Sequence, residues 1–279
     1  MRARIVLSPL RSGGPRAASD DAPGDGPIPA RAWQVLALVS TAMFALILDN
    51  NAANVAFPFI ERAFVDTPRT TLAWVSTGYA IALASLLIVA GRLADRYGRR
   101  RMFFGGMALF ALSTIATASA WNPTVLIAAR VLQGAGSALL TATAVALLLP
   151  EFPAARRGLA LGIWGTVGSA GAAVGPTLGA VAIEVSDWRL VFLLNVPLAV
   201  VVLLLGRRVL GADTSAPPPP SAGSAGKDSR IDVIGTVLGT ASIALLTFGI
   251  LQGPRWGWLS PAAIGVLGSS LVLFALFLA

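Results

Sequence analysis

Asp49 and Arg130 are the two ionisable side chains that lie well inside long apolar stretches of the 279-residue sequence. A carboxylate in such a place can take up and release a proton, and a nearby guanidinium biases which form prevails. Each charge costs ~2.5–3.5 kcal/mol at the centre of a membrane helix, which is tolerable where it faces a partner or a water-filled cavity. Two readings follow: a cavity-lining, proton-exchanging carboxylate with a guanidinium neighbour, or a static ion pair tying two helices together. Helical rise lets the two meet. Asp49 lies 11 residues before Ile60 and Arg130 lies 7 residues after Pro123, about 16 Å and about 10 Å below one membrane face. Asn50, Asn51 and Asn54 add polarity to the first of these stretches.

Other chemistry is excluded by composition. With no His and no Cys, there is no imidazole acid–base pair, thiol nucleophile, zinc site or disulfide. Polar groups suited to catalysis do not cluster apart from Asp49 and Arg130, so neither an enzyme, a metal site nor a bound cofactor is expected. Gly134-Ala135-Gly136 has no strand before it and is not a nucleotide loop. A net charge of +8 and a pI of about 11.4 would suggest nucleic acid in a soluble protein. Here the Arg residues fill gaps between apolar stretches, where topology and anionic lipid explain them and nucleic acid does not.

The elements that must position these residues are transmembrane helices. Hydrophobic residues make up 56% of the chain and charged residues 12%, against about 25% charged in soluble domains; mean hydropathy is +0.76. Apolar stretches over about 33–60, 71–90, 102–121, 123–149, 158–183, 189–206, 231–252 and 261–279 are each long enough to cross a ~30 Å hydrocarbon core as a helix. The expected fold is an all-α polytopic membrane protein of eight spans. Sixteen of the 21 basic residues lie on one set of alternate sides, four (Arg62, Arg69, Arg189, Arg255) on the other, and Arg130 within a span. The majority side is therefore expected to be cytoplasmic, with both termini there. Residues 1–31 carry no apolar signal segment and read as a disordered tail, and 32–206 form a six-helix unit. Residues 207–230, with Pro217–Pro220, form a cytoplasmic linker to two additional helices in 231–279. The sequence stops within an apolar span, so the expectation is a fragment of a longer protein or a truncated product.

Two local patterns bear on movement. The fifth span carries Gly158, Gly162, Gly165, Gly168, Gly171, Gly175 and Gly179, with Pro176. Small residues allow close helix packing, and Pro176 adds a bend point; packing alone and packing with a hinge both remain open. Gly91-Arg92-Leu93-Ala94-Asp95-Arg96-Tyr97-Gly98-Arg99-Arg100 is expected to form a short turn between spans. There Asp95 would cap a helix or pair with an Arg, and the flanking glycines would allow close backbone approach.

In these residues the sequence resembles the major facilitator superfamily, and within it the fourteen-helix drug:proton antiporters. Leu48-Asp49-Asn50-Asn51-Ala52-Ala53-Asn54-Val55-Ala56-Phe57-Pro58 is similar to the helix 1 motif L-D-x-T-x-x-N-V-A-L-P, with Asn51 in place of Thr. Gly91 to Arg100 matches G-x-L-A-D-R-x-G-R-R, and Arg130 to Gly136, including Gln133 and Gly134, matches R-x-x-Q-G-x-G. Gly171 to Gly179 matches the antiporter motif G-x-x-x-G-P-x-x-G, with Ala180 where a second glycine often follows. Trp188 to Pro197 is like the start of the family's helix 6.

The resemblance implies the N-terminal six-helix bundle of a rocker-type transporter plus two further transmembrane helices, with the second half missing. It implies proton-coupled export of drugs or amphipathic secondary metabolites across the cytoplasmic membrane, powered by the proton motive force. Asp49 would exchange protons and Arg130 would tune it. Asp95 with Arg96 and Arg99 would latch a gate, and Gly175-Pro176 would govern bending. The implied partners are membrane lipid, protons, a small-molecule substrate, and the missing half or a second chain. A passive facilitator or importer on the same scaffold, or a membrane fragment without independent transport, are the alternatives.

Overall fold

A computed structural model describes residues 27–211 and 233–278; most of the predicted tail and most of the predicted linker lie outside the described residues, and Ala30 and Arg31, expected in the tail, already belong to the first helix. Every described element is helical, and eight membrane-length apolar spans occur among the described residues. The helices are α1 (Ala30–Ala63), α2 (Arg69–Leu72), α3 (Trp74–Tyr97), α4 (Arg99–Ala118), α5 (Pro123–Leu148), α6 (Arg157–Val185), α7 (Trp188–Leu193), α8 (Asn195–Val209), α9 (Val233–Trp256) and α10 (Pro261–Leu278). α2 with α3 makes the second span, and α7 with α8 the sixth.

Local sequence explains the boundaries. Asn122 caps α5, its side chain accepting from the Val125 N–H at 2.8 Å, with Pro123 in the first turn, where its missing N–H costs nothing. The break at Leu194 between α7 and α8 lies just before Pro197. Proline has no N–H to offer the Leu193 carbonyl four residues earlier, so the ladder is interrupted there.

The expected turn over Gly91–Arg100 is corrected. α3 continues as helix through Tyr97, and α4 restarts at Arg99. Charged residues beyond an apolar stretch do not end a helix; only Gly98 does, at φ 94°, a conformation other residues rarely adopt. Gly91 is an ordinary helical position with open space around its Cα. Likewise α8 carries Arg207 and Arg208 in its last turn, past the predicted start of the linker.

At one end of the bundle, Arg31 pairs with Glu151 and Arg99 donates to the Ala146 carbonyl. At the other, Arg69 pairs with Glu61 and Arg189 donates to the Ala120 carbonyl. Two apolar clusters fill the interior between these ends. One is built on Leu36, Val39, Phe103, Met107, Phe110, Leu140 and Val202, the other on Ile60, Leu72, Val75, Leu126, Trp188 and Val191. The polar residues of the site occupy the level between them.

The most extensively packed helix pairs are α3–α5, α4–α5 and α1–α6. α3 and α5 approach so closely that a Cβ on Gly134 would lie 2.4 Å from the Tyr79 carbonyl oxygen. α9 and α10 form a hairpin whose α9 lies against α3, where Trp74 stacks on Phe248 with ring centroids 5.6 Å apart. At the other end of that contact, Arg92 donates to the Thr236 hydroxyl.

Candidate functional site

Asp49 stands at mid-length in α1, on the face buried against α5 and α8, and is fully buried. Arg130 and Gln133 lie one turn apart on α5, Thr114 on α4 and Asn195 at the start of α8; all four are fully buried. The side chains of Arg130, Gln133 and Asn195 converge on the carboxylate, and Thr114 stands behind Gln133. Arg130 Nη1 donates to Asp49 Oδ2 at 2.6 Å, while Gln133 Nε2 at 3.0 Å and Asn195 Nδ2 at 3.1 Å both donate to Oδ1. Gln133 also accepts from Arg130 Nη1 at 2.7 Å and donates to the Thr114 hydroxyl at 2.9 Å.

A buried ion pair is tolerable only when its remaining hydrogen-bonding capacity is met. The carboxylate here has three donors. The guanidinium meets the carboxylate and the Gln133 amide oxygen through Nη1 and the Val75 carbonyl through Nε at 3.2 Å, while Nη2 has no hydrogen-bond partner. It also lies over the Tyr79 ring at 4.4 Å and the Phe192 ring at 5.5 Å, contacts that favour a desolvated cation. Tyr79 is fixed in turn by donating to Ser137 at 3.0 Å, and Ser137 donates to the Gln133 carbonyl at 2.9 Å.

A groove of about 180 Å³ opens beside this cluster, lined by Met43, Leu46, Ile47, Asn50, Asn51, Tyr79, Leu83 and Thr141. Asp49 does not line it. The expected cavity-lining carboxylate is therefore corrected for this conformation: Asp49 faces the bundle interior, where α5 and α8 close over it. Tyr79 is the side chain common to both places, touching the groove and resting on Arg130. Asn50 and Asn51 reach the groove, Asn51 also donating to the Ile47 carbonyl at 2.8 Å. Asn54 is exposed one turn further along and does not line it. No His, Cys, Asp or Glu cluster among the described residues could hold a metal.

The pattern of residues 39–279 matches the family model of the Major Facilitator Superfamily. The chain belongs to the Major Facilitator Superfamily. It is 40% identical to a cephamycin export protein of Amycolatopsis lactamdurans, over 88% of this chain and 49% of that protein. It is 32% identical to a methylenomycin A resistance protein of Bacillus subtilis, over 88% and 50%. A tetracenomycin C resistance and export protein of Streptomyces glaucescens is 32% identical over 88% and 44%. This chain thus spans about half the length of the curated relatives it matches. Among solved structures, the POT family transporter PepTSo superposes with a TM-score of 0.60 at 16% identity, covering 90% of this chain and 52% of that one, a likeness of fold alone.

The remaining motif residues of this superfamily member are apart from the buried cluster. Asp95 on α3 and Arg99 on α4 approach to 3.4 Å across the Gly98 break, both well exposed. Asp95 caps nothing: Gly98 is the N-cap position of α4, and it provides no side-chain bond. Arg96 lies over its neighbour Tyr97 at 5.5 Å. On α6 the glycines divide. Gly168, Gly171, Gly175 and Gly179 are pressed against α1, where a Cβ on Gly171 would lie 2.8 Å from the Phe44 carbonyl. Gly158, Gly162 and Gly165 face open space. Pro176 sits within α6, which stays helical from Arg157 to Val185.

Sequence reasoning missed Thr114, Tyr79 and Ser137 altogether and gave Asn195 no role beyond its motif. An amide inside an apolar stretch, two residues before Pro197, was the available signal for Asn195.

Proposed function

We propose that this chain forms the N-terminal portion of a proton-coupled antiporter that exports drugs or small amphipathic metabolites. The observation that carries the reading is the burial of Asp49. The carboxylate is shut away from the groove and bonded to two other helices, α5 and α8. A proton can reach it only when those helices part from α1, so proton exchange and rearrangement become one event. That is the requirement for coupling a gradient to a transport cycle.

The relatives named for export and antibiotic resistance support the direction and the substrate class. The groove is lined by Met43, Leu46, Ile47 and Leu83 with uncharged polar groups among them, a surface suited to amphipathic molecules. The excess of Arg at the Arg31, Arg99 and Arg207 end supports a cytoplasmic location for that end and both termini, in the cell membrane. Protons supply the energy, about 2.3 kcal/mol per charge per 100 mV. The gating role of Asp95, Arg96 and Arg99 and the bending of α6 at Gly175-Pro176 belong to the same reading, completed by a C-terminal half or a second chain.

Substrate-induced proton release tests it. The purified protein carrying this chain, held in weakly buffered detergent solution with a pH dye, should release protons when an exported drug is added, and the Asp49→Asn variant should release none. Drug binding without release in the unsubstituted protein would leave a passive facilitator.

A further inference from the structure

The hydrogen-bond inventory around Asp49 leaves two buried atoms without a partner, the Arg130 Nη2 donor and the Asn195 Oδ1 acceptor, and only the second is an acceptor. As an ionised carboxylate it needs donors, and Arg130, Gln133 and Asn195 supply three. As a carboxylic acid it becomes a donor itself and needs one acceptor. The Gln133 amide oxygen is already taken by Arg130, and the Thr114 hydroxyl, which Gln133 bonds, donates to the Phe110 carbonyl at 2.6 Å. Asn195 Oδ1 is fully buried and has no hydrogen-bond partner. It sits on the same amide whose Nδ2 touches the carboxylate.

We propose that Asn195 is a proton-responsive positioning residue for Asp49. While Asp49 is ionised, the amide presents Nδ2. When a proton adds to Asp49 Oδ1, forming an O–H bond there, the amide turns over about its terminal torsion and Oδ1 accepts that O–H. The turn needs no lengthening of the side chain, because an amide is nearly symmetric in shape about this axis.

Among the described residues, Arg130 on α5 is the charged group that faces the carboxylate. Tyr79 on α3 is the other titratable group in the cluster, and its hydroxyl donates away from Asp49 to Ser137. Arg130 keeps the Gln133 oxygen, the Val75 carbonyl and two aromatic rings in either state, so it can stay in place. The moving part is Asn195, the first residue of α8, beside the break between α7 and α8 and two residues before Pro197, which has no N–H to offer the ladder. The protonation state of α1 is thereby transmitted to a discontinuity between α7 and α8.

This inference rests on the proton-coupled reading and is tested separately from it. Infrared difference spectra between alkaline and acidic pH would be recorded on the protein in lipid vesicles, with asparagine carrying a 13C side-chain carbonyl. The Asp49 acid band is identified by its loss in Asp49→Asn. The Asn195 band is identified by its loss in Asn195→Ser, or in Asn195→Gln if the serine variant does not fold. The Asn195 carbonyl band should shift to lower wavenumber together with the appearance of the Asp49 acid band, and should stay still in Asp49→Asn. An Asp49 acid band that appears while the Asn195 band stays fixed would overturn the proposal and leave proton coupling standing. Absence of any Asp49 acid band across the folded pH range would overturn both.

Discussion

Arg130 Nη1 lies 2.6 Å from Asp49 Oδ2, with both side chains wholly buried between two apolar clusters. The pair joins α1 to α5 across 81 residues of sequence. Removing one member leaves a buried charge without its counter-ion. Arg130→Met and Asp49→Asn should therefore each destabilise the protein, by up to about 3–5 kcal/mol. The double variant should lose much less than the sum. Thermal unfolding in detergent measures all three; additive losses would mean that the pair is not energetically joined.

Gly134 offers a sharper contrast of position. Gly134→Ala would place a methyl 2.4 Å from the Tyr79 carbonyl oxygen, a backbone atom that cannot turn aside. A loss of about 1–3 kcal/mol is expected from overpacking. Gly162→Ala on α6 meets nothing within 4 Å and should be neutral or stabilising by up to about 1 kcal/mol. Equal effects in the same unfolding assay would contradict the close approach of α3 and α5.

Trp74 and Phe248 hold the α9–α10 hairpin against α3. A double-mutant cycle with Trp74→Ala and Phe248→Ala should give a coupling of about 0.5–1.5 kcal/mol, typical of a stacked aromatic pair. Zero coupling would mean that the hairpin does not dock there.

Asp95 separates stability from function. Its pair with Arg99 is long, at 3.4 Å, and open to solvent, so Asp95→Asn should change stability by less than about 1 kcal/mol. If Asp95 latches a gate, drug efflux in the same variant should fall several-fold. Unfolding temperature and vesicle efflux measured on one preparation decide between a gate residue and a surface charge.

Much of this architecture was legible because a bilayer imposes length and apolarity on every span. The fixed helical rise even allowed Asp49 and Arg130 to be set at comparable depths. The continuation of α3 to Tyr97 was not legible, since polarity marks where the hydrocarbon ends and not where the helix ends. Thr114 was hidden for a different reason. Hydroxyls within helices commonly bond back to their own turn, as Ser113 does to the Leu109 carbonyl and Thr143 to that of Leu139. Sequence cannot say which of them also cross to another helix, and Thr114 does both. The place where α9 docks was equally hidden, because an apolar helix face suits lipid as well as a neighbouring helix.

The central claim is that proton exchange at Asp49 drives export. The most direct measurement is drug accumulation in inside-out membrane vesicles under an imposed pH gradient, acid inside, with equal amounts of inserted protein. Asp49→Glu, which keeps a titratable carboxyl, should retain part of the gradient-driven accumulation, and Asp49→Asn should lose it entirely. Undiminished gradient-driven accumulation by Asp49→Asn would contradict the account.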